Sequence, residues 1–191
     1  MATNMALKRA AKASRRKAIV AQKRKAERLA TSLTEQVRRA TSLPLRHCVM
    51  SEGLFNLGLG TLVLARGASD YSLYCSFFLL DVFSLGIKEA FFRPAPLEAL
   101  ETIGADIPLL DVEPPYGRKL LRDLAAWSQS LGFAQAPDFP IIEALFGDVN
   151  ADACDVSFRF GTDGGPLYMP GPFDSIAEIR EGAAILRNRA A

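Results

Sequence analysis

The chain has 191 residues, 49% of them hydrophobic, enough for one core of ordinary size and far more than a disordered protein carries. Its net charge of +2 conceals a division: residues 1–46 hold thirteen Lys/Arg against two acids, +11, while residues 47–191 hold ten against nineteen, −9. Three scattered cysteines and one histidine exclude a disulfide framework and a His- or Cys-rich metal site, and they fit a reducing compartment. Residues 6–40 lack Pro and Gly and are rich in Ala, Lys, Arg, Gln and Leu, which predicts a helix. Leu29, Leu33 and Val37 form a narrow apolar stripe on it, and Thr41-Ser42-Leu43-Pro44 ends it. No apolar stretch follows the basic N-terminus, so no secretory signal is expected.

A folded domain is expected from Leu45. The apolar runs Thr61–Ala65 and Tyr71–Leu80, separated by the turn Arg66–Asp70, read as a β-hairpin covered on both faces. Ser84–Phe92 reads as a short helix stopped by Arg93-Pro94, and Pro96–Ile103 as another. Pro114–Leu131 is the most regular helix: Leu120, Leu121, Leu124, Trp127, Ser128 and Leu131 share one side, and Gly132 takes the C′ position. Asp138–Phe146 reads as a helix capped by Asp138. Val156, Phe158 and Phe160 alternate as in a half-buried strand, the turn Thr162–Gly165 follows, and Pro166–Met169 returns as a strand. Asp174 is expected to cap a last helix that runs to about Arg187. The most apolar stretch, Leu73–Ile87, has 15 residues broken by Asp81. That falls short of the roughly 20 that span a bilayer, so no membrane span is expected.

These elements give an α+β fold, an antiparallel hairpin-based sheet packed with several helices, preceded by a basic N-terminal helix or arm. The arm is assigned residues 1–44 and the acidic globular domain residues 45–191.

The arm carries the clearest functional signal. Lys8, Arg9, Lys12, Arg15, Arg16, Lys17, Lys23, Arg24, Lys25 and Arg28 are the expected nucleic-acid-binding residues. Lys and Arg set on phosphates release counterions, which gives affinity without sequence preference. The arm has no aromatic residue on which a base could stack. The expected partner is therefore a polyanion, RNA or a ribonucleoprotein foremost, with a targeting segment as the other use of such an arm. A metal-dependent nuclease is the alternative, with Asp81 and Glu89 as catalytic carboxylates and Glu52 and Asp70 completing the set. The plainer reading of Asp81 is a cap on the helix that follows it. His47 and Cys48 are adjacent in an extended segment and point to opposite faces, so they make no thiol–imidazole pair. A protein–protein module built on a sheet edge, or on Tyr168 and Phe173, is the third reading. No cofactor and no metal are expected.

Three segments resemble signatures found together. Leu79-Leu80-Asp81-Val82-Phe83-Ser84-Leu85-Gly86-Ile87-Lys88-Glu89-Ala90-Phe91 resembles LVDxxCLGVKxAF. Tyr116-Gly117, Leu131-Gly132-Phe133 and Pro137-Asp138-Phe139 resemble YG…LGFxPHxDF. Phe160-Gly161-Thr162-Asp163-Gly164-Gly165-Pro166-Leu167-Tyr168-Met169-Pro170-Gly171-Pro172 resembles FGxDGxPxYxxGP. As a set, over about residues 45–175, they resemble an uncharacterised family of small bacterial proteins. The resemblance implies a bacterial, cytoplasmic α+β domain. Ser84 stands where the pattern often has Cys, and Ala136 where it often has His, which counts against cysteine chemistry.

Overall fold

The computed structural model describes residues 32–98, 100–102, 108–170 and 174–187. The chain divides into two compact units, Met1–Gln36 and Val37–Ala191. In the first, residues 32–36 are helical, with Gln36 Nε2 donating to Ser32 Oγ at 3.1 Å. The rest of the expected arm helix, up to residue 31, lies outside the described residues. The second unit opens with helical residues 37–41 (α1), whose Val37 and Ala40 are buried.

The body of the second unit is α+β, a five-stranded antiparallel sheet in the order β4-β3-β2-β1-β5. The strands are β1 (Leu45–Ser51), β2 (Leu59–Ser69), β3 (Ser72–Asp81), β4 (Gly86–Ala95) and β5 (Leu109–Asp111). A single helical turn, α2 (Leu54–Leu57), joins β1 to β2. The expected hairpin is β2–β3, but its turn is tighter than the sequence implies. Pairing continues to Ser69↔Ser72, so only Asp70 and Tyr71 turn. The expected helix Ser84–Phe92 is instead a turn over residues 82–85 followed by β4. Lys88, Glu89 and Ala90 favour a helix locally, but β3 offers a full partner edge. Phe91 stacks on Phe77 with ring centroids 4.7 Å apart, and Phe92 stacks near Tyr74 at 6.0 Å. Cross-strand aromatic pairs of this kind decide a sheet where local propensity is weak.

Both faces of the sheet are covered, as the nearly continuous apolar runs of β2 and β3 require. One face bears Leu62 and Phe78 and receives α4 (Pro114–Leu131) and α5 (Phe139–Glu143). Gly117 of α4 lies so close to Cys48 Sγ that an added Cβ would stand 2.9 Å from it. Phe78 meets Phe139 of α5 edge-on at 6.0 Å. The other face bears Val49, Val63, Ala65, Leu73, Cys75 and Phe77, closed by Leu97, Leu100 and Leu109. Leu100 belongs to the helical residues 98 and 100–102 (α3), the described part of the helix expected at Pro96–Ile103. Between β4 and β5 the chain passes from one edge of the sheet to the other.

α4 ends at Gly132, which is left-handed at φ 102° as a C′ residue needs to be. α5 gives way to a 3-10 turn, Ala144–Phe146, and the Asp138 side chain makes no cap hydrogen bond. The strands expected at Val156–Phe160 and Pro166–Met169 do not form. Phe158 packs against Tyr116 of α4 and Phe55 of α2, and Phe160 against Trp127 of α4. The alternating side chains thus seat this segment on helices, which offer no ladder of N–H and C=O groups to pair with. The turn Thr162–Gly165 is present. A final helix, α6, spans Ile176–Arg187. No helix of the described residues is long and apolar enough to cross a membrane.

Candidate functional site

Asp81 is buried at the end of β3, and its Oδ1 accepts from the backbone N–H of Phe83 and of Ser84, each at 2.9 Å. Burial pushes its pKa above the ordinary value, and the N–H groups and the charge of Lys88 pull it only part of the way back. The expected cap therefore exists, but it caps a turn and not a helix. Glu89 is exposed opposite Leu79, and Glu52 and Asp70 are exposed as well. Among the described residues no three of His, Cys, Asp and Glu gather as metal ligands would. Asp81, Glu89, Glu52 and Asp70 therefore make no such group of three.

The buried thiols, Cys48 and Cys75, are equally unsuited to chemistry. Burial, with Asp111 and Glu113 nearby, pushes Cys48 up to about 12, and burial raises Cys75 to about 11. Neither forms a thiolate at neutral pH. His47 Nε2 lies 3.4 Å from Asp70 Oδ1 at the surface.

The three signature segments meet around the β3–β4 turn. Ile87 N donates to Gln135 Oε1 at 2.7 Å, and Ile87 O accepts from Ala136 N at 2.9 Å. Gly161 N donates to Val82 O at 2.8 Å, and Leu167 N to Phe83 O at 2.9 Å. Gly86 turns the chain with φ 76°, and an added Cβ would stand 2.6 Å from both Gln135 Oε1 and Ser128 Cβ. Gln135 Nε2 also donates to Ser128 Oγ at 3.2 Å. Within this knot the Ser84 hydroxyl is buried without a hydrogen-bond partner, the one such side-chain atom among the described residues.

Beside the knot lies a cavity of about 350 Å³. Leu85 comes from the β3–β4 turn, Gly132, Phe133 and Ala134 from the loop after α4, Tyr168 and Asp174 from the C-terminal segment, and Glu181, Gly182 and Ile185 from α6. Tyr168 Oη donates to Asp174 Oδ2 at 2.9 Å. Sequence reasoning missed this site, because its walls come from positions a hundred residues apart in the chain. Its legible traces were Tyr168, singled out for a docking surface, and Asp174 as the start of the last helix.

Four cations of the body serve its own architecture. Arg66 is buried, and its guanidinium donates to the carbonyls of Thr41, Leu43, Leu145 and Phe146 at 2.7–3.2 Å. Arg118 and Arg122 hold Glu143 at 2.7 and 2.9 Å, and Arg118 also reaches the carbonyls of Gly147 and Val149. Lys119 pairs with Asp123 one turn along α4. The arm residues Lys8, Arg9, Lys12, Arg15, Arg16, Lys17, Lys23, Arg24, Lys25 and Arg28 lie outside the described residues. No family model matches the chain, and no curated protein or solved structure does so either.

Proposed function

We propose that this is a non-enzymatic, cytoplasmic protein that binds nucleic acid or a ribonucleoprotein, RNA foremost, through its basic N-terminal arm. The carrying observation is the separation of charge, +11 over residues 1–46 and −9 over the rest. The way the body uses its cations supports the reading. Arg66, Arg118, Lys119 and Arg122 are bound to carbonyls and carboxylates of the same unit. Four of the ten Lys/Arg of residues 47–191 are thus committed within the body, and residues 1–46 hold thirteen.

Phosphate contacts by Lys and Arg make affinity fall steeply with salt, by about 0.7 to 0.9 in log–log slope for each phosphate neutralised. Full-length protein and a variant lacking residues 1–28 are titrated with single-stranded RNA and duplex DNA at several salt concentrations, with and without Mg²⁺. The full chain should bind with a steep slope, and the deletion should abolish binding while the body keeps its far-UV signature. Unchanged binding by the deletion variant would overturn the proposal. Mg²⁺-dependent cleavage would do so too, in favour of an enzyme.

A further inference from the structure

We propose that the free edge of β4 pairs antiparallel with β4 of a second copy of this chain, about a twofold axis at Phe91. The inference is independent of what the arm binds. β4 ends the sheet and is hydrogen-bonded to β3 alone. Two observations fix which of its main-chain groups face outward. Ile87 turns both of its groups away from β3, to Gln135 Oε1 and to Ala136 N. The bulge that follows inserts one residue between the pairs Leu80↔Ile87 and Leu79↔Glu89 and so shifts the alternation by one. Beyond it the outward residues are Ala90, Phe92 and Pro94. Pro94 agrees, since a strand tolerates proline where its nitrogen faces away from the neighbour. Among the described residues nothing takes up the outward N–H and C=O of Ala90 and Phe92.

The side chains choose the occupant. Glu89, Phe91 and Arg93 share the sheet face that carries Phe77 and Cys75, and all three are exposed, Phe91 by 42%. Phe91 stacks on Phe77, and the Arg93 guanidinium lies 5.0 Å from the centre of the Phe77 ring. Glu89 has no ion pair among the described residues. With the axis at Phe91, Ala90 and Phe92 of the second copy exchange both main-chain bonds. Phe91 faces Phe91 of the second copy, and Glu89 faces Arg93 of the second copy, once on each side of the axis. These are the non-hydrogen-bonded positions, where opposite Cα atoms stand only about 4.5 Å apart. Aromatic pairs and unlike charges stabilise an antiparallel ladder when directly opposite. Moving the axis by one residue, to Ala90 or Phe92, leaves Glu89 facing Phe91 or Ala95 instead. One register therefore satisfies both charges, and it needs no chain but this one.

The pairing also closes. Gln135 and Ala136 occupy the edge at Ile87, and Pro94 offers no N–H at the other end. Lys88, the bulge and Pro94 are ordinary guards against open-ended strand addition. Between them the guarded edge leaves an exposed aromatic residue flanked by unlike charges. A twofold contact uses the same patch on both copies, so the β4 edges are consumed and assembly stops at two. A single strand pair is a small interface, and the dimer should be a reversible one.

The test is sedimentation equilibrium of the full chain, free of nucleic acid, across a concentration series. The average mass should rise from 20.8 kDa toward twice that value. Glu89→Arg sets like charges opposite on both sides of the axis and should weaken association about tenfold or more. Glu89→Arg/Arg93→Glu restores unlike charges in the same register and should recover most of the loss. Glu52→Arg makes the same charge change at an exposed position beside β1, across the sheet from β4, and should leave association unchanged. Amide hydrogen exchange of the parent should slow at Ala90 and Phe92 as the dimer fills. The proposal is overturned by a mass that stays at 20.8 kDa up to about 1 mM, or by one that climbs past the dimer. It is also overturned if Glu89→Arg associates as the parent does, or if the double variant is no better than Glu89→Arg. An equal loss in Glu52→Arg, or association that leaves the Ala90 and Phe92 amides unprotected, would place the contact elsewhere and overturn it too.

Discussion

Arg66 and Asp81 sit toward opposite ends of β2, Arg66 within the strand and Asp81 paired to its first residue, Leu59. Both are buried charges whose nearest partners are main-chain groups. The cation takes carbonyls and the anion takes N–H groups. The difference lies in where those groups come from. The N–H groups on Asp81 are two and three residues away, so the carboxylate shapes one turn. The carbonyls on Arg66 are 23, 25, 79 and 80 residues away, at the C-terminal ends of α1 and of the 3-10 turn Ala144–Phe146. Helix C-termini leave carbonyls without partners and carry partial negative charge. One guanidinium thus satisfies two helix ends and fastens them to the sheet. A buried charge closes a turn when its partners are local, and joins elements when they are distant.

The largest effect should come from breaking the distant set. Arg66→Met takes the guanidinium from four carbonyls, of which Phe146 O also accepts from Val149 N at 3.3 Å, and should cost about 3–5 kcal/mol in urea denaturation. Arg66→Lys restores charge but not the planar fork, and should recover less than half of that loss. A cost for Arg66→Met below about 1 kcal/mol would mean that water serves those carbonyls and the contrast with Asp81 is empty. Next comes the local turn. Gly86→Ala puts a Cβ into Gln135 and Ser128 at a positive φ, and should cost about 2–4 kcal/mol by the same measurement.

A smaller pair of effects separates two carboxylates by the sign of their pH dependence. Burial pushes Glu143 upward, but Arg118 and Arg122 more than reverse this and leave it below its ordinary value. Its contribution is therefore complete above the unfolded value near 4.5 and disappears as pH falls through the lower folded value. Glu143→Gln should lose about 2 kcal/mol at neutral pH, and the gap to the parent should close in acid. Asp81 runs the other way, because its folded pKa is raised. The folded state holds the proton more tightly, so the penalty of the buried charge is present above the raised value and relieved as pH falls. Asp81→Asn should flatten that part of the stability profile. Midpoints for both variants from acid to neutral pH would expose a wrong sign in either. Ser84→Ala should be smallest, neutral or stabilising by up to about 1 kcal/mol, since the lost hydroxyl has no partner. A larger loss would reveal a water bound in the knot.

The legible parts of the fold were those whose signal is local. α4 followed from the spacing of Leu120, Leu121, Leu124 and Ser128, all buried on one side, and the β2–β3 hairpin from two apolar runs and a short gap. The capping of Asp81 was legible too, because its partners are its neighbours in the chain. β4 was misread as a helix because Lys88, Glu89 and Ala90 suit one, and only the presence of β3 makes a strand of them. Val156, Phe158 and Phe160 show the converse, an alternation that serves packing on helices without a ladder. Arg66 lies in an Arg-Gly-Ala-Ser-Asp stretch that reads as a solvated turn, and nothing nearby in sequence announces four distant carbonyls. The cavity was illegible for the same reason, since Leu85 and Ile185 share it only once the chain has folded.

The crossing from β4 to β5 has a kinetic consequence. β1 to β4 are each joined to a neighbour in sequence, so their pairing closes short loops and proceeds early. β5 must pair with β1 across the whole sheet, matching Val49 to Asp111 with only three residues of ladder. It should dock last and open first, and hydrogen exchange should find its amides exchanging well before those of β2 and β3. Until it docks, the edge of β1 around the buried Val49 and Met50 stands unpaired, a template for a second unfinished chain. Refolding yield should therefore fall with protein concentration, and the segment that limits the loss is the shortest strand in the sheet.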